Sequence, residues 1–446
     1  MTSANRDSRS EEHPFLHHPT DPESANCALS KRSAAPSNGS WRADAESPPN
    51  TDAARQAIDA LADWDRYCIL AIKADAPGSG KRPASLQEAI IKFIHDAQAS
   101  HGAVGCPWHA PLNFCALPDA DVAAARRLAD ELHAHLAALG PETVSVGIAP
   151  FPLLAYDKKT GWANAGKALD HAAFLGPGSI VALDAVTLNI SGDQYYQAGQ
   201  LDQAVAEYTA ALALDPKDIN VHNSLGVCFA EMHDTGAARS SFTRASEIAP
   251  DEPMPQYNLG MLCLLENQIQ PALAHFQKAN TNNCGFYEIP FQIGAILSDQ
   301  CRWQDALTYA DEAITLEPDN GTAHGLKGQC LAALEKIPQA IQAYTRAVKI
   351  NPNNADALSA LGCLYDAQNE NPDICKTFLE QGVSLAPDNG LYHHRLGQWL
   401  QKHDQIENAL ATYRQALALG HNSLRQIKAL QSKLQNEKKP AARRAG

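Results

Sequence analysis

The 446-residue sequence has no run of 18 apolar residues, so nothing in it reads as a membrane-crossing helix. Its first stretch, MTSANRDSRSEEHPF, carries charges where a secretory leader needs an apolar segment, and the expected location is the cytoplasm. No two of the 11 cysteines form a CxxC pair, which excludes the usual redox and zinc spacings and leaves reduced, buried thiols. Basic residues are also short: 36 Lys and Arg against 50 Asp and Glu give a formal charge of -14. A surface of that sign argues against broad contact with nucleic acid or an anionic membrane.

What is present is enough apolar residue, 45%, for a folded protein, in a chain long enough for roughly two or three units. Residues 1–52 are rich in Ser, Pro, Asn, Asp and Glu, without sustained periodicity, and are expected to form a disordered tail. From Ala53 the pattern changes. RQAIDALADWD is helical, YCILAIKA is a buried strand and SLQEAIIKFIHDAQAS is an amphipathic helix. Short strands follow around Ala103–Cys106 and Leu112–Leu117, then the helix DADVAAARRLADELHAHLAAL, the strand TVSVGIAPF, a helix near Ala163–Ala173 and the strand SIVALD. The order β-α-β-β-α-β with an extra helix predicts a ferredoxin-like, split βαβ domain over 53–184.

Beyond Asp184 a repeat takes over. Glycines recur at Gly192, Gly226, Gly260, Gly294, Gly328 and Gly362 in steps of 34 residues, and Gly397 follows after 35. Twelve residues after most of them stands an alanine (Ala204, Ala238, Ala272, Ala306, Ala340, Ala409), and four later an aromatic (Tyr208, Phe242, Phe276, Tyr344, Tyr413). Prolines at Pro216, Pro250, Pro318, Pro352 and Pro387 end the second helix of each pair. Small residues let paired antiparallel helices approach, and the aromatic is expected to fill the space between neighbouring hairpins.

This pattern resembles the tetratricopeptide family. It predicts an α-solenoid of seven hairpins over 185–423, bounded as 185–218, 219–252, 253–286, 287–320, 321–354, 355–389 and 390–423, with a capping helix at 424–436 and a basic tail at 437–446. Cys284 and His421 replace proline, Ala310 and Leu379 replace the aromatic, and the sixth repeat carries one inserted residue. The resemblance implies a concave groove lined by first helices. Helical geometry then points to Asn220, Asn223, Met254, Tyr257, Met261, Leu264 and Phe291, with a small, polar continuation through Thr322, Gln329, Asp356, Ser359, Asp366, His394 and Gln398. A protein or peptide is the expected partner. Almost no Lys or Arg is expected to point inward, which departs from the family's carboxylate clamp.

Residues 64–184 resemble the GGDEF, or diguanylate cyclase, family through FCALPDADVAAARRLADELHAHL, TVSVGIAPF and AGKALDHAAFLGPGSIVALD. The chemistry of that family needs metal-holding carboxylates on the first strand and in the GGDEF turn. Here Lys73 stands at the first position with only Asp75 downstream, and His109, Ala110, Pro111, Leu112 and Asn113 replace the turn. Phe174 replaces the phosphate-binding lysine. The expectation is a degenerate, non-enzymatic domain with no cofactor, no metal and no bound nucleotide, in a bacterial signalling adaptor. The rival reading is a divergent nucleotide enzyme built on acids such as Asp75 and Asp119.

Two further patterns have plain explanations. DAPGSGKRP lacks the first glycine and the final hydroxyl of a phosphate loop, and reads as a flexible loop. His101, Cys106, His109 and Cys115 follow no recognised zinc spacing and read as hairpin residues.

Overall fold

The computed structural model describes residues 52–75, 84–109, 111–280 and 285–444. The expected tail before residue 52, residues 76–83 of the DAPGSGKRP loop, Ala110 and Cys284 therefore lie outside the described residues. The chain falls into two compact units dividing after Pro250.

The first unit opens with α1 (Asp52–Asp63), β1 (Tyr67–Ala74), α2 (Ala84–His101), β2 (Val104–His109), β3 (Leu112–Pro118), α3 (Val122–Ala137) and β4 (Val144–Phe151). A 3-10 turn (Lys158–Thr160), α4 (Gly161–Leu175) and β5 (Ile180–Ala182) follow. The sheet order is β2-β3-β1-β4-β5. Central β1 is antiparallel to both β3 and β4, pairing Ile69 with Ala116 on one side and Ala149 on the other, and β5 joins β4 in parallel. Because β3 lies between β1 and β2, the connection through α2 is a split βαβ, as the order of apolar segments predicts.

The period of two divides the strands between two cores. Tyr67, Ile69, Ala71, Phe114 and Ala116 face α1 and α4, while Cys68, Leu70, Ile72, Cys115 and Leu117 face α2 and α3. Helix α4 lies so close on β4 that a Cβ added at Gly147 would come within 2.2 Å of the Ala165 carbonyl oxygen and the Leu169 nitrogen. The first core does not stop at Asp184. It continues into Leu188, Ala204, Tyr208, Ala211, Val221, Leu225 and Cys228 of two helical hairpins, α5 (Ala185–Gln197) with α6 (Leu201–Leu214) and α7 (Ile219–Glu231) with α8 (Thr235–Ile248). The sequence reading sets the domain boundary after Asp184, but this shared core places the sheet and the first two hairpins in one unit.

The second unit holds α9 (Pro253–Leu265) with α10 (Ile269–Ala279), α11 (Glu288–Asp299) with α12 (Trp303–Leu316), α13 (Gly321–Ala333) with α14 (Ile337–Ile350), α15 (Ala355–Ala367) with α16 (Pro372–Leu385), and α17 (Gly390–Lys402) with α18 (Ile406–Ala418). A final helix, α19 (Leu424–Arg444), extends past residue 436, where the sequence reading ends it. Lys, Glu, Ala and Arg in that stretch are good helix formers, whereas Pro440 within it opposes the helix. Among the described residues no helix is long and apolar enough to cross a membrane.

Each hairpin is built around its glycine. A Cβ at Gly192, Gly226, Gly260, Gly328 or Gly397 would lie 2.5 to 2.9 Å from the ring of Tyr208, Phe242, Phe276, Tyr344 or Tyr413, respectively. The ring thus packs on the glycine of its own hairpin, where the sequence reading expects it between hairpins. The reason is geometric: with no side chain at the glycine, the facing helix can place a flat ring directly on its backbone. At Gly294, where Ala310 replaces the aromatic, Leu326 of the next hairpin supplies the nearest atom, at 3.0 Å.

The turn inside each hairpin contains one left-handed residue, always seven after the glycine: Gly199, His233, Asn267, Cys301, Glu335, Asn369 and Asp404. Only the first is a glycine. Connections between hairpins use side-chain caps: Asp218, Asn320, Asn354 and Asn389 each accept from a backbone N–H in the first turn of the following helix.

Candidate functional site

The sheet region first places the residues that a cyclase resemblance would make functional. Lys73 is exposed near the end of β1 and pairs with Leu112 on β3. Asp75 follows at the same end and accepts three hydrogen bonds: from Thr143 Oγ1 at 2.6 Å, from Ser145 Oγ at 2.6 Å and from the Gly178 N–H at 2.8 Å. Both carboxylate oxygens are engaged, and they tie β1 to the start of β4 and to the approach to β5. Asp75 has the geometry of a structural pin.

Asp119 lies at the other end of β1, where its N–H donates to the Arg66 carbonyl. Eight residues of strand separate the two acids, about 25 Å at roughly 3.3 Å per residue. Two carboxylates that share a metal pair need to stand within a few ångströms of it. Asp75 and Asp119, the acids named in the rival enzyme reading, therefore stand at opposite ends of β1, too far apart to share one metal site.

In place of a glycine-rich turn, β2 and β3 close a tight hairpin in which His109 pairs with Leu112. Pro111 is half-buried, Leu112 is buried, and Asn113 is fully buried with its Oδ1 accepting from Gln87 Nε2 at 2.9 Å. Phe174 is 61% exposed at the end of α4. Cys106 and Cys115 belong to opposite faces of the sheet, so the fold separates two of the four residues weighed as zinc ligands.

In the hairpins, burial sorts the expected groove residues into two sets. Met254, Tyr257 and Met261 are 3%, 3% and 6% exposed, and Asn223 is 1% exposed, so these four pack inside the protein. The Tyr257 ring lies 5.5 Å from that of Phe276 on the paired helix. Leu264, Phe291 and Asn220 are half-buried, which leaves part of each at the surface. Within the second unit the first helices also present half-buried Glu288 and Ala295, and exposed Thr322, Gln329, Asp356 and Gln398. Ser359 and His394, expected in the lining, are buried.

Basic side chains do reach this layer of helices, which the sequence reading did not expect. Arg395 on α17 donates to Ser359 Oγ on α15 at 3.2 Å, and Lys402 pairs with Asp366 at 3.0 Å. Both cross from one first helix to the next. Their reach depends on which hairpins become neighbours, so spacing within one repeat could not reveal it.

A second feature missed from the sequence sits in the first unit. Lys167 on α4 pairs with Glu207 on α6 at 2.6 Å, with side chains only 10% and 11% exposed. Lys167 Nζ also lies 5.3 Å from the centre of the Tyr156 ring, and burial and Glu207 push the Tyr156 phenol above its ordinary value. Beside this pair, His171 meets Thr187 Oγ1 at 2.9 Å, and burial lowers its pKa. The available signal was Lys167 inside the alanine-rich run AGKAL.

Comparison with known proteins follows the hairpins. A model described as TPR repeat matches residues 192–232, and models described as tetratricopeptide repeat match 292–355 and 343–376. Superkiller complex protein 3 of Homo sapiens is 36% identical over 86 residues, covering 19% of this chain and 6% of that protein. Anaphase-promoting complex subunit 7 of Mus musculus is 25% identical over 228 residues, covering 51% of this chain and 40% of that protein. The chain thus spans less than half the length of these curated relatives. A solved structure, pilF of Pseudomonas aeruginosa, superposes with a TM-score of 0.44 at 18% identity, over 49% of this chain and 97% of that one. The family models thus lie on hairpins built around the same glycine, and residues 192–232 and 292–376 are similar to tetratricopeptide repeats.

Proposed function

We propose that the protein is a non-enzymatic adaptor or scaffold whose tetratricopeptide hairpins bind another polypeptide along the first-helix face of residues 251–444. The observation that carries this reading is the partial exposure of Phe291, Leu264 and Ala295 on first helices, followed by exposed Thr322, Gln329, Asp356 and Gln398. An apolar start with a polar continuation suits a guest that anchors one apolar side chain and hydrogen-bonds along its length. Membership of multiprotein assemblies by relatives such as an anaphase-promoting complex subunit supports the same reading. The sheet region serves in it as a non-catalytic module of a bacterial signalling protein. Its support is the resemblance of residues 64–184 together with an Asp75 already engaged by three donors.

Photo-crosslinking tests the surface. A benzoylphenylalanine placed at Phe291 or Gln329 should form adducts with a polypeptide partner, while one at exposed Thr308, on the second helix α12, should not. Phe291→Ser should also weaken capture by about tenfold, the loss of one central apolar anchor worth about 1–2 kcal/mol, at unchanged helix content. Equal crosslinking from both helices would move the binding surface elsewhere.

A further inference from the structure

The seventh hairpin meets the terminal helix at a polar junction that the binding face does not use. Ser423, the residue before α19, is fully buried. Its hydroxyl lies 2.8 Å from Nδ1 of His394 on α17 and 3.1 Å from Nδ1 of His421 in the turn after α18. The two imidazole rings stand 4.2 Å apart, and the His394 ring lies 5.3 Å from that of Tyr413 on α18. The backbone leaves no slack here: a Cβ added at Gly390 would lie 2.9 Å from both the Ala416 carbonyl oxygen and the His421 Cβ.

Proton counting sets the condition for this contact. One hydroxyl has one proton, which it can donate to one ring nitrogen while its oxygen accepts from the N–H of the other ring. The chain Nδ1–H to Oγ–H to Nδ1 therefore requires at least one neutral imidazole. If both rings are protonated, both are donors toward a single oxygen, and the hydroxyl proton has no acceptor among them.

The charges acting on the rings aggravate this. His394 faces His421 and Arg395, and His421 faces Arg395, with no carboxylate of the described residues among the groups acting on either ring. From α18, Tyr413 presents a phenol that donates to Gln401 and stays un-ionised up to about 12. From α15, Ser359 accepts from Arg395, so it does not neutralise that charge. Burial, then the neighbouring cations, hold His394 at about 4, and burial and Arg395 lower His421 as well.

We propose that this junction is an acid-opened latch, in which protonation of both histidines frees the first turn of α19 from the seventh hairpin. Release withdraws Ile427 and Leu430 from the cluster they share with Trp399, Leu410 and Tyr413, and turns a covered apolar face into an accessible one. The sign follows from the lowered folded values. Docking is complete above the ordinary histidine range near 6.5 and is lost as the pH falls from there toward about 4.

Hydrogen exchange on the full chain tests this. Protection of residues 421–434 should fall by at least about tenfold between about pH 7 and about pH 4.5, after correction for intrinsic exchange, while α13 and α14 keep theirs. His394→Asn combined with His421→Asn leaves amides that can bond Ser423 without titrating, and should abolish the fall. Ser423→Ala should lower protection already at neutral pH. A flat profile in the native chain, or an unchanged fall in the double variant, overturns the latch. Should the double variant fail to fold, imidazole proton resonances of the native chain decide: their titration must coincide with helix release, and a midpoint displaced by more than about one pH unit overturns it.

Discussion

Asp75 and Gly260 show how differently the sheet region and the hairpins use their residues. Asp75 is a single group holding three donors from two other segments. Gly260 is one of five repeat glycines that each receive an aromatic ring of their own hairpin, and its role is legible because it recurs. In the sheet, a residue's meaning comes from long-range neighbours, Asp75 being 68 and 103 residues from two of its partners. In a hairpin the partner is about sixteen residues away, so spacing along the chain already encodes the contact.

The sharpest break of this comparison is at the ion pair that belongs to both regions. Lys167→Met should destabilise the first unit by about 3–5 kcal/mol, because it leaves the Glu207 carboxylate buried without its partner. Adding Glu207→Leu should recover most of that loss. Chemical denaturation of the full chain measures both. A small effect of the single change would mean that water relieves the pair and that the sheet and first hairpin are less tightly joined than their shared core implies.

Next in size are the glycines. Gly260→Ala should cost about 1–3 kcal/mol, since the new Cβ meets the Phe276 ring at 2.6 Å inside a packed helix pair. Gly294→Ala should cost less than about 1 kcal/mol or stabilise, because the nearest atom is a flexible Leu326 methyl at 3.0 Å and alanine favours the helix. Thermal unfolding of the two variants compares a hairpin built on a ring with one that lacks it.

The smallest effect is expected at a turn. Glu335 holds a left-handed backbone with φ of 60°, which costs a residue with a Cβ about 1–2 kcal/mol. Glu335→Gly should therefore raise stability by about 0.5–1 kcal/mol, after allowing for glycine's greater freedom in the unfolded chain. The same change at Lys336, one residue on at the start of α14, should not.

Much of the fold was readable. YCILAIKA becomes β1 and TVSVGIAPF becomes β4 because a central strand buried on both faces must be continuously apolar. The left-handed turn positions were not readable, since His233, Cys301 and Glu335 give no local hint of positive φ. Neighbouring helices impose that conformation. The binding face was readable only in part: helical geometry puts Met254, Tyr257 and Met261 on the chosen side of their helix, but the side of a helix does not determine what packs over it.

The sequence by itself determined the hairpin count, the period and the order of strands and helices along the chain, because each depends on patterns of side-chain size and polarity repeated along the chain. Tertiary structure alone decided which polar groups meet: Lys167 with Glu207, Asp75 with Gly178, and His394 with His421 across Ser423. Those pairings form between segments brought together by packing, and a hydrogen bond depends on tenths of an ångström that no periodicity carries.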